Sequence, residues 1–84
     1  MRFQVHVEVS HLPGILDPAG AAVERALPAL GYSNVSAVSV GKVIHLEVEA
    51  PGEREARAEV EEMCRRLLAN PVIEGYEISV DRVP

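Results

Sequence analysis

The sequence has no tryptophan, one phenylalanine, two tyrosines and a single cysteine. A lone cysteine cannot form an internal disulfide. With so few aromatic side chains the core is predicted to be aliphatic. An RNA-binding sheet would need exposed aromatic residues on its central strands to stack bases. Phe3 and Tyr76 are instead predicted to face the core, which argues against such a sheet.

Basic residues are also scarce: the sequence has eight Lys and Arg against thirteen Asp and Glu, and its net charge is −5. A nucleic-acid surface needs clustered Lys and Arg to contact phosphates. No apolar run approaches the roughly 20 residues that span a bilayer, and the first residues alternate like a strand rather than a signal peptide. We therefore expect a cytoplasmic protein with no nucleic-acid or membrane partner.

The 84 residues are predicted to form a single domain, residues 1–84. Alternating apolar and polar residues predict strands, and apolar residues at helical spacing predict helices. The predicted strands are 2–10, 34–40, 43–49 and 76–80, and the predicted helices are 18–30 and 53–70. This βαββαβ order indicates an α+β, ferredoxin-like two-layer sandwich, in which two helices cover one face of an antiparallel sheet.

Local signals place the ends of these elements. Asp17 is a favourable N-cap, and Pro18 suits the first helical position because its missing N–H is not needed there. Pro28 should distort the last turn of this helix, and Gly31 suits a left-handed C-terminal cap. Gly41-Lys42 is predicted to form a type II′ turn joining the second and third strands.

No arrangement of residues predicts catalysis. Cys64 lies in the apolar stripe of the second helix and is expected to be a small buried hydrophobe. His6 and His45 both fall on polar strand positions and could approach each other, but without a third ligand we favour solvated side chains over a metal site. Asp17 is fully explained by capping. The sequence thus predicts no catalytic, cofactor-binding or metal-binding residue.

Three short runs are more specific: Gly14-Ile15-Leu16-Asp17-Pro18-Ala19-Gly20 (run 1), Val40-Gly41-Lys42 (run 2) and Leu67-Leu68-Ala69-Asn70-Pro71-Val72-Ile73-Glu74 (run 3). In this order the chain resembles the PurS family, the small subunits of phosphoribosylformylglycinamidine synthase. The positions that carry the resemblance, interpreted as structural rather than catalytic, are Gly14, Asp17, Pro18, Gly20, Gly41, Lys42, Asn70 and Pro71.

The resemblance implies a subunit of an ATP- and glutamine-dependent C–N ligase of purine biosynthesis. Such a complex converts formylglycinamide ribonucleotide, ATP and glutamine into formylglycinamidine ribonucleotide, ADP, phosphate and glutamate. The resemblance also implies that a large synthetase subunit binds ATP and magnesium and that a glutaminase subunit releases ammonia. The small subunit would bridge the two and help ammonia transfer, without a cofactor of its own. The alternative is a free-standing ferredoxin-like sensor that binds a small effector at the glycine-containing helix entry.

The predicted hairpin also carries a cluster of β-branched residues. In the predicted register Val38, Val40 and Val43 lie together on the uncovered face of the sheet, near an edge strand. Exposed apolar patches and unpaired strand edges commonly mark interfaces. We therefore expect these three residues to mediate self-association into a dimer or a tetramer.

Overall fold

The computed structural model describes all 84 residues. The elements in chain order are β1 (Arg2–His11), α1 (Pro18–Ala26), a 3₁₀ helix (Leu27–Leu30), β2 (Lys42–Glu49), α2 (Glu53–Met63), a π-helical turn (Cys64–Leu68) and β3 (Glu74–Arg82). The strands form one antiparallel sheet in the order β2-β1-β3, so β1 is central and β2 and β3 are edges. No helix has the length and apolar character needed to cross a bilayer.

The start and end of α1 follow the local signals. Asp17 caps the helix by accepting a hydrogen bond from the backbone N–H of Gly20 at 2.9 Å, and Pro18 occupies the first turn. Regular α-helix ends at Ala26, and the chain continues as the 3₁₀ helix that contains Pro28. This is the predicted distortion, because proline cannot donate to the carbonyl four residues earlier. Gly31 then closes the segment with φ of 96°, as its lack of a Cβ permits.

The core lies between one face of the sheet and α2. The alternate residues of β1 point inward, and Val5 and Val7 are completely buried, as is Val60 on α2. Burying each such side chain contributes roughly 1.5–3 kcal/mol relative to exposure. The full core is Phe3, Val5, Val7, Val9, Val48, Ala50, Ala56, Val60, Cys64, Ala69 and Val80. As the composition predicted, it is almost entirely aliphatic.

The segment between β1 and β2, residues 12–41, forms an arm that adds nothing to this core. Gly20 is its only buried residue, and no hydrophobic residue of the arm belongs to the core or to the partly buried residues packed against it. The chain measures 51 × 30 × 14 Å, with a radius of gyration of 16.4 Å. A compact domain of this length would have a radius of gyration of about 12 Å. The arm therefore projects away from the sandwich instead of covering it.

The predicted α+β class is confirmed, with an antiparallel sheet and two helices in a ferredoxin-like arrangement. The expectation that both helices cover the sheet is wrong, because only α2 does so. The strand predicted over 34–40 is also absent. Its backbone N–H groups at Val38 and Val40 donate to side-chain carboxylates of the arm instead of to a neighbouring strand.

The predicted type II′ turn at Gly41-Lys42 is wrong as well. Gly41 does not have the positive φ that such a turn requires, since among the glycines only Gly14 and Gly31 do. Lys42 instead begins β2, opposite Val9. A Cβ on Gly41 would lie 2.5 Å from the carbonyl oxygen of Val9. Glycine is needed here for close approach of two backbone segments.

Candidate functional site: the arm and its base

Runs 1 and 2 are joined by the carboxylate of Asp17. One of its oxygens accepts from Gly20 N at 2.9 Å, and the other accepts from Val40 N at 2.9 Å. A second carboxylate of α1, Glu24, accepts from Val38 N at 2.8 Å. The returning half of the arm is therefore held on α1 by two carboxylate contacts, although 14 and 23 residues separate the partners.

The same contacts explain why the pKa of Asp17 is lowered and why run 1 has a glycine at position 20. The hydrogen bonds from Gly20 and then Val40 lower the pKa of Asp17 below its ordinary 3.8, partial burial opposes this, and nearby His11 adds to it. A Cβ on Gly20 would lie 2.5 Å from Asp17 Oδ2 and 2.7 Å from the carbonyl oxygen of Val38. Gly20 thus lets the cap and the returning segment approach the helix together.

Run 3 forms a self-capped turn at the base of the arm. Asn70 N donates to Glu74 Oε1 at 2.7 Å, while Glu74 N donates to the carbonyl oxygen of Asn70 at 2.7 Å. The side chain of Asn70 accepts from Val72 N at 3.1 Å, and Pro71 lies within this turn. Leu12 N, at the start of the arm, donates to the carbonyl oxygen of Ile73 at 2.9 Å. All three runs therefore meet at one end of the sheet.

Exposed apolar side chains are concentrated in the arm. Eight of the twelve large hydrophobic residues that remain exposed lie between residues 12 and 41, and a ninth, Val43, follows directly. The eight are Leu12, Ile15, Leu16, Val23, Leu30, Tyr32, Val35 and Val40. Apolar surface on this scale, confined to one projecting segment, indicates a surface that another protein chain covers.

An open cleft of about 690 Å³ lies beside α1 and is bounded by Ile15, Leu16, Asp17, Glu24 and Val38 among others. Its two carboxylates are already engaged by the backbone of the arm. Arg25 also lines the cleft and takes part in no ion pair, so the cleft offers a ligand apolar contact and one free cation.

Elsewhere, Cys64 and the pair His6 and His45 lie on opposite sides of the sheet. Cys64 is fully buried and lies under the sheet, and burial raises the pKa of its thiol. His6 and His45 do meet, on the sheet face opposite α2. No group of three or more His, Cys, Asp or Glu side chains is arranged to hold a metal ion.

The three valines predicted for self-association are placed differently from the expected hairpin. Val38 is half-buried, while Val40 and Val43 are 39% and 51% exposed. The predicted hairpin between residues 34–40 and 43–49 is wrong, because β2 pairs with β1 instead. Sequence reasoning missed Glu24, which no local signal distinguishes from a solvated helix residue.

A small α+β sandwich with a projecting apolar arm indicates a small protein whose arm contacts other protein chains. Comparison with known proteins identifies the family. Residues 4–82 match the family model described as PurS, phosphoribosylformylglycinamidine (FGAM) synthase. The chain belongs to the PurS family.

Individual relatives agree with this assignment. The phosphoribosylformylglycinamidine synthase subunit PurS of Methanocaldococcus jannaschii is 47% identical over 70 residues, which is 83% of this chain and 84% of that protein. The crystal structure of Methanocaldococcus jannaschii PurS, one of the subunits of formylglycinamide ribonucleotide amidotransferase in the purine biosynthetic pathway, superposes with a TM-score of 0.87 over 98% of this chain and 99% of that one, at 40% identity. A chain in the structure of PurLQS from Thermotoga maritima superposes with a TM-score of 0.87 at 36% identity, covering 95% of this chain and 98% of that one.

Proposed function

We propose that this chain is the small, non-catalytic subunit of phosphoribosylformylglycinamidine synthase in purine biosynthesis. The observation that supports it most is similarity along nearly the whole length to chains named PurS, including one from a PurLQS structure. The reaction would be the ATP- and glutamine-dependent conversion of formylglycinamide ribonucleotide to formylglycinamidine ribonucleotide. The chain takes part in this ligase without supplying reacting groups.

Within that complex the subunit bridges the large synthetase and the glutaminase and helps ammonia pass between them. The synthetase subunit is the one that binds ATP and magnesium. The apolar arm supports a bridging role, because eight exposed large hydrophobic residues on one projection need a partner surface. Such a complex would operate in the cytoplasm, and the net charge of −5 argues against a nucleic-acid partner.

The subunit also associates with itself, as a dimer or a tetramer, through a surface that includes Val38, Val40 and Val43. Val40 and Val43 are exposed and adjoin the start of β2. Because β2 is an edge strand, one side of its backbone has no partner strand in the chain. An apolar patch beside a free strand edge favours pairing with another protein surface.

The alternative of a free-standing sensor domain is not favoured. It would place an effector at the entry of α1, where backbone N–H groups could receive an anion. There Gly20 N already donates to Asp17, and the Asp17 carboxylate would repel an anionic group. The full-length likeness to PurS chains gives no support to that reading.

Reconstitution tests the proposed function. The synthetase and glutaminase subunits of the same organism are mixed with and without this chain, and glutamate release and ADP formation are measured together. We expect glutamine-dependent product only with the chain present, and no glutaminase or ATPase activity from the chain alone. The ammonia-dependent rate of the synthetase is the control, since it should not need a bridging subunit. Equal glutamine-dependent rates in both mixtures would refute the proposal.

A further inference from the structure

The sheet face opposite α2 carries a pair of histidines in contact. His6 on central strand β1 lies directly across from His45 on edge strand β2. Their ring centroids are 4.5 Å apart, with an angle of 77° between the ring planes. Neither ring takes part in any of the side-chain hydrogen bonds of the chain.

The register of the two strands explains why the rings are so close. Met1 and Ala50 exchange both backbone hydrogen bonds, at 3.0 and 2.9 Å. Paired residues in an antiparallel ladder alternate between hydrogen-bonded and non-hydrogen-bonded positions. Counting inward from Met1 and Ala50, His6 and His45 form a non-hydrogen-bonded pair, at which Cα atoms approach to about 4.5 Å and side chains lie closest.

The separation of the rings is close to that of two imidazoles bound to one metal ion, although the rings now meet edge to face. With a metal–nitrogen bond of about 2.05 Å and a further ~1.1 Å to the ring centre, each centroid lies about 3.2 Å from the metal. Two such rings are about 4.5 Å apart at a ligand angle of 90°, and about 5.2 Å apart at the tetrahedral angle. The observed 4.5 Å is an edge-to-face contact of the two rings, and it shows that both imidazoles are close enough to reach one ion once they turn. Rotation of the rings about their side-chain bonds would turn one nitrogen of each toward a common point.

We propose that His6 and His45 form a two-histidine chelating site on this sheet face for a divalent transition-metal ion such as Ni²⁺ or Cu²⁺. The remaining coordination positions are taken by water, because no third protein ligand is arranged beside the pair. Imidazole nitrogen is a ligand type suited to both ions, and Cu²⁺ should bind more tightly than Ni²⁺ or Zn²⁺. The site lies on the sheet rather than the arm, and it adjoins the surface proposed for self-association, because Val43 is two residues before His45 on the same face of β2.

The charges around the pair favour a cation. Next to the histidines along the two strands stand Glu8 on β1 and Glu47 on β2, both on the same face of the sheet. Beyond β1, edge strand β3 adds Glu77 and Asp81 on that face. Arg2, the one basic residue of this surface, lies at its end and pairs with Glu49 at 3.5 Å and with Glu47 at 3.9 Å.

Nickel binding to the untagged, chelator-stripped protein tests the site by isothermal titration calorimetry in a non-coordinating buffer. We expect saturable binding of one Ni²⁺ per chain. His6→Gln and His45→Gln should each weaken it by at least about tenfold, because the second imidazole then no longer binds intramolecularly. His11→Gln is the matched control, since it removes the third histidine, at the base of the arm, and should leave the affinity unchanged. Circular dichroism checks that each variant is folded.

Amide NMR spectra give a readout that does not depend on variants folding well. Paramagnetic Ni²⁺ should broaden the signals around His6, His45 and the neighbouring Ser79 first, and spare those of α1. Absence of binding by the wild-type protein would overturn the proposal. So would equal binding by the His6→Gln/His45→Gln double variant, loss in only one of the two single variants, or broadening centred on His11.

Discussion

Replacing Gly41 with alanine should destabilise the protein through a backbone collision. The added Cβ would lie 2.5 Å from the carbonyl oxygen of Val9, a residue only 1% exposed in the central strand. Neither backbone segment can move without disturbing the pairing of β1 with β2. Overpacking at such a position costs typically about 1–3 kcal/mol. In a domain of this size each kcal/mol lowers the melting temperature by about 4–8 °C.

Urea unfolding followed by circular dichroism, at one fixed protein concentration, measures this loss. Gly75→Ala is the matched control, because the only atom its Cβ would meet within 4 Å is a methyl group of Leu12 at 3.3 Å. That side chain can shift, and alanine also restricts the unfolded chain, so the control should stay within about 0.5 kcal/mol of the wild type.

A second substitution separates close approach from turn geometry. If glycine were needed at position 41 for a positive φ, Gly41→Asn would destabilise the protein less than Gly41→Ala, because asparagine tolerates left-handed backbone. Steric contact with Val9 predicts the reverse, with Gly41→Asn at least as destabilising as Gly41→Ala. A harmless Gly41→Ala, or an asparagine variant clearly more stable than the alanine variant, would refute the reasoning.

Three other predictions concern single side chains. The lowered pKa of Asp17 means that its carboxylate stabilises the fold fully above its ordinary pKa of 3.8, and that this stabilisation is lost as the pH falls through the lower folded value. Asp17→Asn should therefore have a lower urea midpoint than the wild type at pH 7, by a margin that shrinks at pH 3; a constant margin would contradict this. Val40→Glu should reduce the oligomer mass measured by light scattering while Val40→Thr keeps it, and an unchanged mass for the glutamate variant would place the interface elsewhere. Cys64, fully buried and with a raised thiol pKa, should react with Ellman's reagent much more slowly in the folded protein than in urea, and equal rates would show that the packing around it is wrong.

The features that were predictable from the sequence are those that neighbouring residues determine. The cap at Asp17 involves a donor three residues away, the change to a 3₁₀ helix occurs at Pro28 itself, and the left-handed cap at Gly31 needs only the absence of a Cβ. The alternation in β1 was equally clear, because its inward side chains are buried and its outward ones are not.

The prediction failed where distant groups decide the structure. Residues 34–40 alternate like a strand, but the carboxylates of Asp17 and Glu24 capture the N–H groups of Val40 and Val38 from far along the chain. The apolar side of α1 predicted packing on the sheet, yet Val23 is 43% exposed. A hydrophobic pattern shows that a face will be buried, but not whether the chain itself will bury it. In the candidate site, each family-like run was recognisable from its own residues. Their meeting at one end of the sheet was not predictable, because it depends on the path of the long connection between β1 and β2.

The strand order β2-β1-β3 has a consequence for how the chain folds. No two neighbouring strands in the sheet are joined by a hairpin, since β1 pairs with β2 across the whole arm and with β3 across everything between His11 and Glu74. Pairings between residues far apart in sequence require closure of long loops before any contact is gained, and they slow folding. The central strand is synthesised first but receives its second neighbour only after β3 has left the ribosome. Until then one edge of β1 stays open, and we expect that period to be when the nascent chain is most prone to aggregate.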